Sequence, residues 1–134
     1  MGNFGSHRGN PIGVWGLASA AVSSRDGLSV ALQSVLGLDA APRLIAGGPE
    51  KVHRVGIVTG GAGTMVKEAR DAGLDTFITG EGPHHTYFDA MEFGVNVFHA
   101  GHYATETVGV KALAEHLGLR FGLPYSFHDH PTGL

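Results

Sequence analysis

The chain has 134 residues, 43% of them hydrophobic, and a formal charge of −3 from nine Lys and Arg against twelve Asp and Glu. That is enough apolar material for one buried core, and a second domain would be cramped. The absence of cysteine excludes disulfides, iron–sulfur clusters and thiolate zinc sites, and the lack of a Lys/Arg run argues against nucleic acid as a partner. Any metal has to be held by imidazole, carboxylate or water. Nine His residues equal the Lys and Arg together, an unusual balance that favours metal or proton chemistry. No run of about 18 apolar residues is present to span a bilayer, so no membrane partner is expected. The first residues also lack the pattern of a secretory signal, which gives the expectation of a soluble, cytoplasmic protein.

Residues 1–11, "MGNFGSHRGNP", are Gly-rich and polar and read as loop, whereas "IGVWGLAS" reads as a strand. Leu28, Leu32, Val35 and Leu36 mark a helix that Gly37 ends, and "RLIAGG" reads as a strand before a turn at Pro49. From Val52 one unit then occurs three times: a short apolar strand, a Gly turn, and an amphipathic helix closed by Gly. In the first, "VHRVGIVTGGAGTMVKEARDAG", Met65, Val66, Ala69 and Ala72 recur at helical spacing before Gly73. In "LDTFITGEGPHHTYFDAMEFG", Pro83 suits a first helical turn, Tyr87, Phe88 and Met91 make an apolar stripe, and Gly94 stops it. In "VNVFHAGHYATETVGVKALAEHLG", Val110, Leu113, Ala114 and Leu117 fall at i, i+3, i+4 and i+7, with Gly118 as the stop. The three strands are expected at roughly 55–59, 75–79 and 95–100, and "LPYSFHDHP" at the sheet edge as a last strand.

Strands alternating with helices imply a single α/β domain over residues 1–134, with a mainly parallel sheet and helices packed on it. The three Gly turns, Thr59–Gly61, Thr79–Glu81 and Ala100–His102, then share one sheet edge, the carboxyl edge at which open α/β sheets bind ligands. Thr59, Glu81, His85, His102 and Glu106 could converge there. His102 and Glu106 stand four apart at the start of a helix, so both point to one side and could share a ligand. A plainer reading makes them polar residues of a first helical turn, with the carboxylate near the helix dipole. His99 reads as a core or interface histidine, and His128 and His130 as a solvated tail. "TGGAG" lacks the Lys and Ser/Thr of a P-loop, so its glycines read as a tight turn.

"TGGAG", "FITGEGPHH" and above all "AGHYATETVGVKALAEHL", in this order and spacing, resemble the C-terminal half of the Nif-three-like dinuclear metal-centre family, also described as GTP cyclohydrolase I type 2-like. The resemblance runs from about Val52 onward, with "PIGVWG", the Leu28 helix and "RLIAGG" fitting the preceding region; G-H-x-x-T-E is its most specific element. It implies an α/β fold, a homo-oligomer in the form of a ring-like hexamer, and pairs of divalent ions of zinc, manganese, iron or cobalt. It makes His102 and Glu106 metal ligands, with Glu106 in a bridging position, and matches Glu81 and His85 to polar positions near the pair. Family members are about twice this length, and their other half supplies a His-His pair and an Asp that nothing in these 134 residues matches.

The reaction class implied is hydrolysis. Two ions about 4 Å apart lower the pKa of a bridging water, and Glu81 or His85 would orient that water or carry its proton. The family name points to a purine-nucleotide ring, although no residue in these motifs recognises guanine or a triphosphate, and the small-molecule substrate stays unassigned. Three readings follow from the residues: a metal-dependent hydrolase, a metal- or small-ligand-binding module without catalysis, and an assembly element indifferent to chelator.

Overall fold

The computed structural model describes residues 1–132. Six strands form one sheet: β1 (Gly2–His7), β2 (Asn10–Leu17), β3 (Arg43–Ala46), β4 (Arg54–Ile57), β5 (Thr76–Thr79) and β6 (Asn96–His99), in spatial order β1-β2-β4-β5-β6-β3. The centre, β4-β5-β6, is parallel, as strands joined through helices should be. The flanks are antiparallel: β2 runs against β4, and β3 against β6. The helices are α1 (Arg25–Leu36), α2 (Val66–Asp71), α3 (Thr86–Phe93) and α4 (His102–Phe121). None of them is long and apolar enough to cross a membrane.

Alternation along the central strands distributes the core to both faces of the sheet. Phe77 and Val97 join Phe4, Val66, Ala69, Leu74 and Val95 in one cluster with α2 and α3, whereas Ile78 and Phe98 join Leu28 and Val52 in another with α1. Helix α1 is set by its ends. Ser24 Oγ accepts the Gly27 N–H at 3.1 Å, and Gly37 at φ 65° closes the last turn on the Gln33 carbonyl.

Several expectations change. Residues 1–11 are not loop: β1 and β2 form a hairpin whose turn, Arg8–Gly9, has φ of 51° and 81°, the left-handed pair of a tight two-residue connection. "LPYSFHDHP" is not a strand. Both edges of β6 are already paired, and the segment runs back along α4, with His130 N–H donating to the Tyr103 hydroxyl and that hydroxyl to Asp129 Oδ1, both at 2.8 Å. Gly118 does not stop the last helix, which continues to Phe121 and ends at Gly122 with φ 65°. The absence of a side chain at Gly118 leaves room for Tyr125, whose ring a Cβ at that position would meet at 2.7 Å. Pro83 precedes α3 by a turn, its carbonyl accepting the Thr86 N–H. The stripes on α3 and α4 face outward: Tyr87, Phe88, Met91, Val110, Leu113 and Leu117 are all exposed, and α3 instead buries Thr86 and Ala90.

Candidate metal centre

The three Gly turns meet backbone to backbone beyond the carboxyl ends of β4, β5 and β6. The Gly80 and Glu81 amides both donate to the Gly60 carbonyl, at 2.9 and 3.1 Å, and the Gly101 amide donates to the Gly80 carbonyl at 2.9 Å. Gly80 has no room for a side chain: a Cβ would lie 2.6 Å from His102 Cα and 2.7 Å from the Gly60 carbonyl oxygen. Two buried threonines tie the turns together. Thr79 Oγ1 donates to the Gly60 carbonyl and accepts from the Ala62 amide, while Thr105 Oγ1 accepts the Gly60 amide at 3.0 Å. Thr105 is the Thr of G-H-x-x-T-E, and its hydroxyl lies 3.0 Å from the Gly101 and His102 carbonyls, to which it donates.

On this platform the first turn of α4 presents His102 and Glu106 to one side. His102 Nε2 lies 3.4 Å from Glu106 Oε1, and its Nδ1 lies 2.7 Å from Glu81 Oε1. The Glu81 carboxylate raises the His102 pKa above its ordinary value, chiefly through that hydrogen bond, with the Glu106 charge adding to it. With Nδ1–H donating to Glu81, the Nε2 lone pair faces a carboxylate oxygen across 3.4 Å. When the ring is protonated, Nε2–H points at the Glu106 carboxylate as an ion pair; when it is neutral, the two groups offer two electron-pair donors on one side. Gly60 keeps this space open, since a Cβ at that position would sit 2.6 Å from Glu106 Oε1 and 3.2 Å from His102 Nε2. The surrounding cavity, about 350 Å³, is lined by Glu81, His102, Tyr103, Glu106 and Thr132.

The structure thus brings Glu81, His102 and Glu106 together. His85 is exposed at the start of α3 and does not line this cavity, and the exposed Thr59 contributes no side-chain contact to it. Sequence reasoning missed Gly60, Thr79 and Thr105. The signal for Gly60 and Thr79 was present in the repeated Thr-Gly at the ends of β4 and β5, and that for Thr105 in G-H-x-x-T-E, yet a short hydroxyl at a turn reads as ordinary turn chemistry until the partner loops are placed. Among the described residues no group of three or more His, Asp or Glu side chains converges closely enough to hold a metal ion. The donor set is chemically suited to a divalent ion but supplies two ligands, where about three protein ligands and a water are usual for a catalytic zinc.

Residues 6–130 match the family model described as Duf34/NIF3 (NGG1p interacting factor 3). The chain belongs to this family. It is 42% identical over 132 residues to the GTP cyclohydrolase 1 type 2 homolog of Deinococcus radiodurans, covering 98% of this chain and 49% of that protein. A protein of the same description from Halobacterium salinarum is 41% identical, with 98% and 51% covered. The solved structure of protein ybgI, of unknown function, superposes with a TM-score of 0.84 at 34% identity, over 98% of this chain and 51% of that one. The chain therefore spans about half the length of the relatives it matches. The C-terminal-half resemblance and the α/β fold expected from the sequence both hold.

Proposed function

We propose that this chain holds a divalent metal ion through His102 Nε2 and the Glu106 carboxylate, as one side of a two-ion hydrolytic centre. The observation that supports this is the pair of donors facing each other at 3.4 Å over the notch left by Gly60. Zinc, manganese, iron or cobalt suits an imidazole–carboxylate pair. When bound, such ions supply Lewis acidity that brings the pKa of water toward neutrality. The residues do the rest. Glu81 holds the His102 ring by its Nδ1–H and so fixes the tautomer that leaves Nε2 free to ligate. Glu106, one residue beyond Thr105, would hold the ion through its carboxylate beside His102 Nε2. The remaining ligands come from outside these residues, in the assembled protein.

A second reading, a metal-binding module without catalysis, is favoured by the lack of a third convergent ligand among the described residues. One experiment separates the two. Metal content by mass spectrometry and turnover of phosphate and carboxylate esters are measured on the protein with and without chelator, and on His102→Ala and Glu106→Ala. Hydrolysis predicts that both variants lose metal and turnover together, whereas the module predicts loss of metal with no turnover to lose. Metal content unchanged in both variants overturns either reading.

We further propose self-association, as in a ring of up to six copies. Val110, Leu113 and Leu117 form an exposed apolar row on α4, with Phe121 exposed beyond it. Sedimentation velocity tests this: a species at a multiple of the 13.9 kDa monomer is expected, and a monomer at all concentrations refutes it.

A further inference from the structure

A second cavity, about 340 Å³, is lined by Gly82 and Pro83, the residues that follow Glu81 of the metal centre. Its floor and rim come from two strands, a loop and a helix. Arg43 opens β3 directly opposite His99, the last residue of β6, so both side chains emerge on one face of the sheet at its carboxyl edge. The loop after β5 contributes Gly82 and His84. Helix α3 contributes Tyr87 and Phe88, the outward-facing stripe that the core does not use.

The chemistry of this lining is unbalanced. The Arg43 guanidinium has no carboxylate paired with it among the described residues, and burial, with the Arg43 charge second and the Glu81 charge opposing both, lowers the His99 pKa. His99 Nε2 is buried without a hydrogen-bond partner, against Gly82, where a Cβ would come within 3.1 Å of it. Buried polar atoms in native proteins are nearly always satisfied, which singles this nitrogen out at the edge of the cavity. The opposite wall is aromatic: the His84 and Phe88 rings meet edge to face at 5.7 Å, and those of Tyr87 and Phe88 at 5.4 Å. Tyr87 and Phe88 are 49% and 54% exposed, large flat surfaces available to stack. An unpaired guanidinium facing exposed rings recognises a flat ring that carries a negative group, because the fork binds a carboxylate or phosphate through two N–H donors while the rings cover the apolar faces. The volume, at the small end of ligand sites, suits one or two fused rings.

We propose that the cavity between Arg43, His99 and the Tyr87–Phe88 wall is a binding site for a small aromatic anion, its carboxylate or phosphate held by Arg43 and its ring stacked on α3. The site stands apart from the metal reading, because none of its lining residues is an assigned ligand of the ion.

The test uses chelator-treated protein, so that loss of the metal reading leaves it intact. Nicotinate and phenyl phosphate are titrated by calorimetry and by NMR of the His and backbone signals, with nicotinamide as the neutral ring and inorganic phosphate as the ringless anion. Saturable binding of both ring anions is expected, with shifts at Arg43, His84 and His99. Nicotinamide and inorganic phosphate should each bind at least about tenfold more weakly. Arg43→Met should weaken nicotinate by about tenfold or more, and Arg43→Lys, which keeps the charge but loses the fork, by an intermediate factor. No saturation by either ring anion up to about 10 mM overturns the proposal, as does undiminished binding to Arg43→Met or equal affinity for inorganic and phenyl phosphate.

Discussion

Gly60→Ala separates the two demands placed on one glycine, backbone conformation and space for the site. Gly60 sits at φ 69°, where an L-residue is strained by roughly 1–2 kcal/mol. A Cβ there also stands 2.6 Å from Glu106 Oε1, closer than carbon and oxygen pack without bonding, so the carboxylate has to turn away from His102. Gly94 supplies the control. Its φ is 68°, and nothing lies within 4 Å of its Cβ position, so Gly94→Ala carries the same backbone strain with no collision. Both variants should lose about 1–2 kcal/mol, which at a urea dependence of about 2 kcal/mol per molar lowers the midpoint by roughly 0.5–1 M. Only Gly60→Ala should weaken metal binding, by about tenfold or more, because it displaces a ligand. Urea melts followed by circular dichroism and metal titration by calorimetry read the two effects separately. Metal affinity in Gly60→Ala equal to that in Gly94→Ala would show that Glu106 is not where the ion binds.

Thr105→Val keeps the shape of the side chain but leaves the buried Gly60 amide without its acceptor; a loss of about 1–3 kcal/mol in urea melts is expected, and a loss under 0.5 kcal/mol would dismiss the hydroxyl as the tie between turns. Phe77, fully buried at the centre of the larger cluster and edge to face with Phe4 at 5.6 Å, should cost about 3–5 kcal/mol when cut to Ala, measured the same way. His99 carries a sign that can be checked. Its folded pKa is depressed by burial and by Arg43, so the unfolded chain binds its proton first. Its contribution is present in full above the unfolded value of about 6.5 and is lost as pH falls toward the folded one. The stability difference between wild type and His99→Phe should therefore move against the wild type on acidification below about pH 6.5; a difference independent of pH would contradict the burial.

The three strand–turn–helix units were legible because each strand is a short apolar run and each turn carries glycine. Their shared edge followed from parallel pairing alone. The i, i+4 placement of His102 and Glu106 was legible for the same local reason, since helical geometry fixes it. Glu81 was not placeable against the His102 ring from the sequence, because their contact spans 21 residues and depends on the Gly80–Gly101 backbone contact. The stripes on α3 and α4 show why periodicity stops short. It reports that a helix has an apolar side but not what lies opposite, and here Tyr87 faces a cavity while Leu113 faces outward. The β1–β2 hairpin was hidden by composition: Gly2, Gly5, Gly9 and Gly13 dilute the alternation that marks a strand, and Arg8–Gly9 is a weaker turn signal than Asn-Gly. "LPYSFHDHP" misled in the opposite sense, since its aromatic residues suit a strand but no free sheet edge is available to it beside β6.

The most direct measurement is a calorimetric titration of the chelator-stripped chain with zinc and with manganese, repeated on Glu106→Gln, which keeps the size of the side chain and removes its charge. Saturable binding to the wild type that falls by about tenfold or more in the variant is the predicted result. Binding of equal strength in both, or no heat of binding to the wild type at millimolar metal, would contradict the assignment of His102 and Glu106 as the pair that grips the ion.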